Sequence, residues 1–421
     1  MNHINKTDMV LSYPSYKLSS YDINKELYRG ELYCNLLKDF TTACLNNLNE
    51  NVFSHKKTTY RTITNLLSSW FFTLYQYYNF NDDVFYPTEC NYMDTLIKTL
   101  KDYCSIYMID DLDAKINNII NSLLNNYTNL LLKLSEYKEN NNIMNISKNT
   151  IIQKRDSINI VFYKFTLTKY HSISNKLNNI INNIIIPYNL YNNMVSRFNQ
   201  YIANNNIQNV DVDTIIWIIL FRYQLLSSNN NQLAVLENIL EQMKTDFNLT
   251  LECFASAING SLTNYCSIYY DMEKYFGSIG SFFQITPTKG TFSFNPPYQY
   301  DIINNGINKI LMHLDNTNDI LSFIITIPIW DTEGKKYMAD NVIENNNNII
   351  LYEDFHIMNN IKISKYFRGL RMISKEAFTY YDHNFHLYKN KTIQNTYVIV
   401  MSNVECNYID TINNYDFFNY K

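Results

Sequence analysis

A chain of 421 residues that is 46% hydrophobic and 18% charged is long enough for two or three domains and apolar enough to bury a sizeable core. Its 35 basic and 39 acidic side chains leave a net charge of -4, which excludes a chain that coats nucleic acid through bulk charge but leaves room for a local basic groove. The seven cysteines are odd in number, widely spread and without zinc-ligand spacing, so they read as reduced thiols of a soluble, intracellular and cytoplasmic protein.

The N-terminal MNHINKTDMV has no signal-peptide core. Gly30 is the only glycine before residue 260, and a long stretch almost free of glycine and proline suits helices joined by polar turns. In KINNIINSLLNNYTNLLLKL, the residues Ile116, Ile119, Ile120, Leu123, Tyr127, Leu130, Leu131 and Leu134 recur at spacings of three and four, which puts them on one helical face. NKLNNIINNIIIPYNL and VDTIIWIILFRYQLL show similar helical periodicity. INIVFYKFTLTKY alternates and reads as a strand. From about Thr250 the texture changes to short apolar runs bounded by turn residues: LECFAS, TFSFNPP, LSFIITIPIW, NIILYEDF and TYVIVMSN. These read as buried strands, with YQYDIINNGINKILMHL as the clearest crossover helix. The expectation is an α/β chain: a mostly helical domain over residues 1–245, then a domain over 246–421 whose largely parallel sheet carries helices on both faces. Ligands on such sheets bind at the C-terminal ends of the strands. No apolar run spans a membrane, since TIIWIILF stops at Arg222 and LSFIITIPIW meets Asp331. The asparagine runs at 140–142, 229–231 and 345–348 read as surface loops in a chain of AT-rich coding origin.

Asn295-Pro296-Pro297-Tyr298, directly after the strand-like TFSF, is the most informative motif. An exocyclic adenine amine is a poor nucleophile because its lone pair is delocalised into the ring. Two hydrogen-bond acceptors for its N–H bonds localise that pair and aim it at a methyl donor. The Asn295 side-chain oxygen and the Pro296 carbonyl suit that task, and two prolines stiffen the turn that carries them. Tyr298 would stack on a base taken out of its own stack. Four residues alone are equally compatible with an ordinary turn in which Tyr298 is a packed aromatic.

The surrounding residues carry a resemblance. ECFASAIN (252–259), YCSIY (265–269), KYFGSIGSF (274–282), the proline and glycine of TPTKG (286–290) and FNPPY (294–298) resemble, in order and spacing, the catalytic domain of the phosphorylated CTD-interacting factor 1 family of cap-specific adenosine N6-methyltransferases. LSFIITIPIW, QNTYVIVMSN and the upstream IIWIILFRYQLL resemble further family segments, so the likeness covers roughly residues 210–405.

The resemblance implies a Rossmann-like class I methyltransferase domain packed against a helical domain, with S-adenosylmethionine as methyl donor. It implies capped mRNA as substrate, methylated at N6 of the 2′-O-methyladenosine beside the 7-methylguanosine. It assigns catalysis to Asn295, Pro296, Pro297 and Tyr298. It assigns Phe254, Ala255, Ser256 and Asn259, the second wall Phe276, Gly277 and Ser278, and Asn395 to the methyl donor. Tyr298 stands where animal members usually have phenylalanine, Ala257 replaces a proline, Ile329 an acidic residue, and Gln394 a histidine. Trp70, Trp217 and Trp330 are too far apart for a WW domain, so no binding of a phosphorylated polymerase tail is expected. A large DNA virus or an AT-rich protist is the expected source, with a viral factory or the nucleus as further locations.

Lys362, Lys365, Arg368 and Arg371 lie among Tyr366 and Phe367, a mixture that suits either RNA phosphates and stacked bases or a plain solvated face. Arg222, inside an apolar helix, reads as a phosphate contact or a buried ion pair, with the contact favoured. His383 and His386 have no partner at ligand spacing, so they read as solvent-exposed and no metal is expected. Two other functions remain open: N6-adenine methylation of DNA or internal RNA sites, and cap or RNA binding by an inactive protein.

Overall fold

A computed structural model describes residues 9–11, 23–48, 56–77, 82–90, 92–104, 109–138, 151–155, 158–162, 174–182, 184–226, 232–328, 354–383, 389–391 and 395–417. The chain divides into two compact units, Ser15–Asn229 and Met1–Pro14 together with Asn230–Lys421. In sequence, the first therefore interrupts the second. Among the described residues no helix is long and apolar enough to cross a membrane.

Strand β1 (Met9–Leu11) belongs to the interrupted unit, and the helical unit follows with α1 (Ile23–Asn47), α2 (Lys56–Leu74), α3 (Asp94–Cys104) and α4 (Leu112–Ser135). The expected face of α4 is buried at Ile116, Ile119, Ile120, Leu123, Tyr127, Leu130 and Leu134, while Leu131 is only half-buried. Gly30 has a packing reason. A Cβ there would meet the Phe221 ring at 2.6 Å and Leu177 at 2.8 Å, so a larger residue would have to displace these side chains. The alternating INIVF segment is β3 (Ile158–Phe162), paired antiparallel with β2 (Ile151–Arg155) and β4 (Ile185–Pro187).

NKLNNIINNIIIPYNL departs from the expected single helix. It forms α5 (Asn175–Asn182), then β4, then α6 (Tyr188–Asn205). The β-branched run Ile184–Ile186 directly before Pro187 explains the break, because both features favour extended backbone. α7 (Val212–Leu225) starts where the Asp211 carboxylate accepts the Thr214 N–H at 3.2 Å, and it is buried all round from Ile215 to Leu225.

The other unit contains β5 (Leu233–Val235), α8 (Glu237–Phe247), β6 (Leu249–Glu252), α9 (Tyr270–Glu273), β7 (Ile285–Pro287), β8 (Gly290–Phe294), α10 (Tyr300–Asn316) and β9 (Leu321–Pro328). After a helix at Asp354–Ile363 come β10 (Phe367–Ile373), β11 (Tyr380–Asp382), β12 (Lys389–Lys391), β13 (Thr396–Ser402) and a last helix, Tyr408–Ile412. Of the strand expected in NIILYEDF, residues 348–353 lie outside the described residues, and Asp354 and Phe355 open a helix instead.

The main sheet has the order β10-β13-β9-β8-β6. β6, β8 and β9 run parallel, β13 runs antiparallel to both its neighbours, and β10 therefore shares the direction of the parallel set. Beyond β6 the sheet continues through two parallel bridges, Glu252 to Tyr265 and Tyr265 to Ser278.

Side chains alternate across this sheet as strand geometry demands. Phe323, Ile325 and Ile327 of β9 and Ile399 and Met401 of β13 join Ile303, Ile307 and Ile310 of α10 in one core. Ile324, Val398 and Val400 join Ile239, Leu240 and Met243 of α8 on the other face. Each fully buried isoleucine or phenylalanine contributes roughly 1.5–3 kcal/mol. The result is an α/β unit with a mixed five-stranded sheet and helices on both faces. A small second sheet, β12-β11-β5, is antiparallel throughout.

Candidate active site

Strand register decides which residues gather. Glu252 of β6 is opposite Ser293 of β8, Phe294 is opposite Ile325 of β9, and Pro328 at the end of β9 is opposite Thr396 at the start of β13. The loop after β6, the Asn295-Pro296-Pro297-Tyr298 turn after β8 and Asn395 before β13 therefore share one edge of the sheet. This is the edge at which parallel strands end and ligands bind.

The loop after β6 is held by buried carboxylates and short side-chain bonds. Glu252 Oε1 accepts the N–H groups of Ser261 and Leu262, both at 2.7 Å. Glu273 Oε1 accepts Ala257 N–H at 2.7 Å, and its other oxygen accepts Tyr269 N–H at 3.3 Å. Asn259 Oδ1 receives the Ser256 N–H at 2.7 Å and the Ser256 hydroxyl at 2.9 Å. Ser256 Oγ also lies 3.1 Å from Gln232 Oε1, just before β5. Phe254, Ala255 and Asn259 stay half-buried, with surface left for a ligand, whereas Ser256 is buried and supports the loop from behind. Phe254 packs edge-on against Phe294 at 5.2 Å between ring centres.

The second wall follows the same division. Gly277 has φ +108, and a Cβ there would come within 2.1 Å of the Thr263 carbonyl oxygen, so this position requires glycine. Phe276 is buried, and Ser278 Oγ lies 2.7 Å from Ser267 Oγ within the wall. Asn395 Oδ1 accepts the Lys375 N–H at 2.8 Å, which fixes its carboxamide at the rim.

At the turn, Pro296 is buried while Asn295, Pro297 and Tyr298 are half-buried. The Tyr298 hydroxyl lies 3.3 Å from Asn295 Oδ1 and is hydrogen-bonded to the hydroxyl of Tyr380 in β11. Tyr380 in turn lies 3.0 Å from Thr396 Oγ1. Burial pushes the Tyr298 phenol well above its ordinary value and the Tyr380 phenol up to about 12, so both hydroxyls keep their protons at neutral pH. The Tyr298 ring packs against both cores and meets the Tyr380 ring at 77°. The sequence pattern carried no signal for Tyr380, Gln232 or Glu273, because their roles come from non-local pairing.

Arg222 corrects an expectation. It is 0% exposed, and its guanidinium grips Glu26, with Nη2 to Oε1 at 2.6 Å and Nε to Oε2 at 3.0 Å. Glu26 also takes Arg29 at 2.6 Å, and Arg29 pairs with Asp83. Burial raises the Glu26 carboxyl, but Arg222 and Arg29 more than offset this and hold it below the usual range. Arg222 is thus half of a buried ion pair rather than a phosphate contact.

The basic segment sits mainly away from the site. Phe367 of β10 is level with Met401 and Phe323, toward the strand beginnings, while Ile373 is level with Thr396 and Pro328 at the site edge. Arg368 donates to the carbonyls of Val404 and Lys365, and Arg371 to those of Ile412 and Tyr415. Lys365 pairs with Asp315 at 3.0 Å, and Lys362 is exposed. The arginines therefore act mainly as ties for neighbouring backbone. Among the described residues no group of three or more histidine, cysteine or acidic side chains forms a metal site. His383 is half-buried rather than solvent-exposed, and His386 lies outside the described residues.

Residues 189–351 match the family model described as "Phosphorylated CTD interacting factor 1 WW domain". The absence of a WW domain, expected from tryptophan spacing, is not supported: the match bears that description and runs across Trp217 and Trp330, so wide spacing says nothing against it. Two relatives, from Mus musculus and Homo sapiens, are each named mRNA (2'-O-methyladenosine-N(6)-)-methyltransferase. Each is 31% identical to this chain over 121 residues, 27% of this chain. The matched stretch spans 17% of the length of these curated relatives. The turn motif at the strand ends lies in a chain that is thus similar, over part of its length, to the phosphorylated CTD interacting factor 1 family and to two mRNA methyltransferases.

Proposed function

We propose that the sheet unit is a Rossmann-like, S-adenosylmethionine-dependent methyltransferase that N6-methylates the cap-adjacent 2′-O-methyladenosine of 7-methylguanosine-capped mRNA. The observation that carries this reading is the Asn295 turn at the end of β8, beside the loop after β6. Two further features support it: the strand order, with one antiparallel strand inserted next to the last parallel one, and the names of the two relatives.

Half-buried Phe254, Ala255, Asn259 and Gly277 are the residues that would hold the methyl donor. The close backbone approach at Gly277 fits a ligand seated against main chain. Bound there, S-adenosylmethionine supplies an electrophilic methyl group. The chain's own residues prepare the nucleophile. Asn295 Oδ1 and the Pro296 carbonyl accept the two N6–H bonds, which turns the nitrogen lone pair out of conjugation. Tyr298 offers its ring edge or exposed face to the base. The amine proton becomes acidic once nitrogen carries the methyl group and leaves to water, so neither acceptor has to act as a strong base.

Methyl transfer from labelled S-adenosylmethionine to three short RNAs tests the reading. All begin with adenosine, and they carry a 7-methylguanosine cap, an unmethylated cap or a plain triphosphate. Transfer to the methylated cap alone, absent in Asn295→Ala, is the expected result. Equal transfer to all three would replace it with a general adenine methyltransferase. No transfer, with the capped RNA still bound, would leave a binding protein.

A further inference from the structure

The hydroxyl chain behind Asn295 has a direction that follows from counting protons. Tyr298 has one hydroxyl proton and two oxygen neighbours, Asn295 Oδ1 at 3.3 Å and the Tyr380 hydroxyl. A carboxamide oxygen can only accept, so the Tyr298 proton goes to Asn295. Tyr380 must then donate to Tyr298, and its own oxygen is left to accept from Thr396 Oγ1 at 3.0 Å. Every donor in the series Thr396, Tyr380, Tyr298 points toward Asn295.

That order matters for the carboxamide. Its two ends are nearly identical in shape and opposite in hydrogen-bonding sense. A donor at one lone pair of Oδ1 fixes the oxygen in place and leaves its second lone pair for another N–H. With the carboxamide turned over, Nδ2 would occupy that place and repel a substrate amine. We propose that Tyr380 is a positioning residue for the methyl transfer proposed above, acting through Tyr298 to hold Asn295 with its oxygen toward the adenine amine. The inference rests on that functional reading. Tyr380 stands in the small antiparallel sheet, whose β5 end is also tied to the loop after β6 through Gln232 and Ser256. One accessory sheet thereby braces both halves of the site.

The experiment is a double-mutant cycle on the full chain with the methylated-cap RNA, comparing wild type, Tyr380→Phe, Tyr298→Phe and the double variant. Loss of one such hydrogen bond predicts a fall in kcat of about tenfold for Tyr380→Phe, with KM for S-adenosylmethionine changed by less than about twofold. The double variant should match Tyr298→Phe alone, because Tyr380 has no route to Asn295 once the Tyr298 hydroxyl is gone. Multiplying effects, or a Tyr380→Phe enzyme with wild-type kcat, would overturn the positioning role while leaving the methyltransferase reading intact. An inactive wild type would overturn both. Should Tyr380→Phe not fold, Thr396→Val reaches the same chain from its far end, and its kcat must also fall for the inference to stand.

Discussion

Each unit of the molecule buries a polar cluster, and the two are built on opposite plans. In the helical unit, Glu26, Arg29, Arg222 and Asp83 form a circuit of paired charges in which all but half-buried Asp83 are buried. In the sheet unit, Thr396, Tyr380, Tyr298 and Asn295 form a neutral series that begins in the core and ends half-exposed at the strand ends. The closed circuit satisfies itself, so it fixes helices and offers nothing to a ligand. Among the described residues, the open series ends on the Asn295 oxygen, which accepts from Tyr298 alone. Both clusters are polar and largely buried; what separates them is that the second ends at the turn to which the proposed chemistry is assigned.

The sharpest way to break this contrast is to remove one member from each cluster. Asn295→Ala should lower kcat/KM about a thousandfold, as when one pre-organised hydrogen-bonding group is lost from an active site, and should leave the unfolding midpoint unchanged. Glu26→Ala should do the reverse. It strips the carboxylate from buried Arg222 and should destabilise the protein by about 3–5 kcal/mol in urea unfolding. A stable Glu26→Ala protein would deny the circuit its structural role.

A smaller effect separates the units by pH. Burial holds His313 and His383 of the sheet unit neutral, each with its pKa lowered to about 4. Their folded values lie below the ordinary value near 6.5, so the unfolded chain takes up protons first. Stability should be level above about pH 7 and fall as pH drops from about 6.5 toward 4, by about 2 kcal/mol for His313. The contribution of Glu26 is lost only at lower pH, because its carboxyl is held below the usual range. Unfolding free energies at pH 7 and pH 5 check this, with His313→Gln expected to flatten the slope.

Much of this was legible in the sequence wherever the cause was local. The apolar spacing of α4, the runs that became β8, β9 and β13, and the Asn295 turn at a strand end all follow from neighbours in the chain, whereas of LECFAS only Leu251 and Glu252 fall in β6. The misreadings share a different cause. For Arg222 the sequence favours a phosphate contact over a buried ion pair because Glu26 is distant in the chain, and the acceptors that Arg368 and Arg371 find in Val404, Ile412 and Tyr415 lie equally far off, beyond β13. The break at Pro187 was readable and outweighed by an isoleucine periodicity that fits a helix and a short strand equally. Tyr380 sits in an unremarkable Tyr-Tyr-Asp run, and its proposed role comes from hydroxyl contacts with Tyr298 and Thr396 that are distant in the chain.

The pairing of β11 with β5 also sets an order of events. β5 precedes the main sheet in the chain and β11 follows nearly all of it, so Val235 meets Tyr380 across most of the unit's length. Contacts that close such long loops carry a large entropic cost and form after the local ones. The ribosome has made the Asn295 turn and both its flanking strands well before it releases Tyr380. A nascent chain thus carries every residue of the motif before it carries Tyr380, the residue proposed to orient the carboxamide.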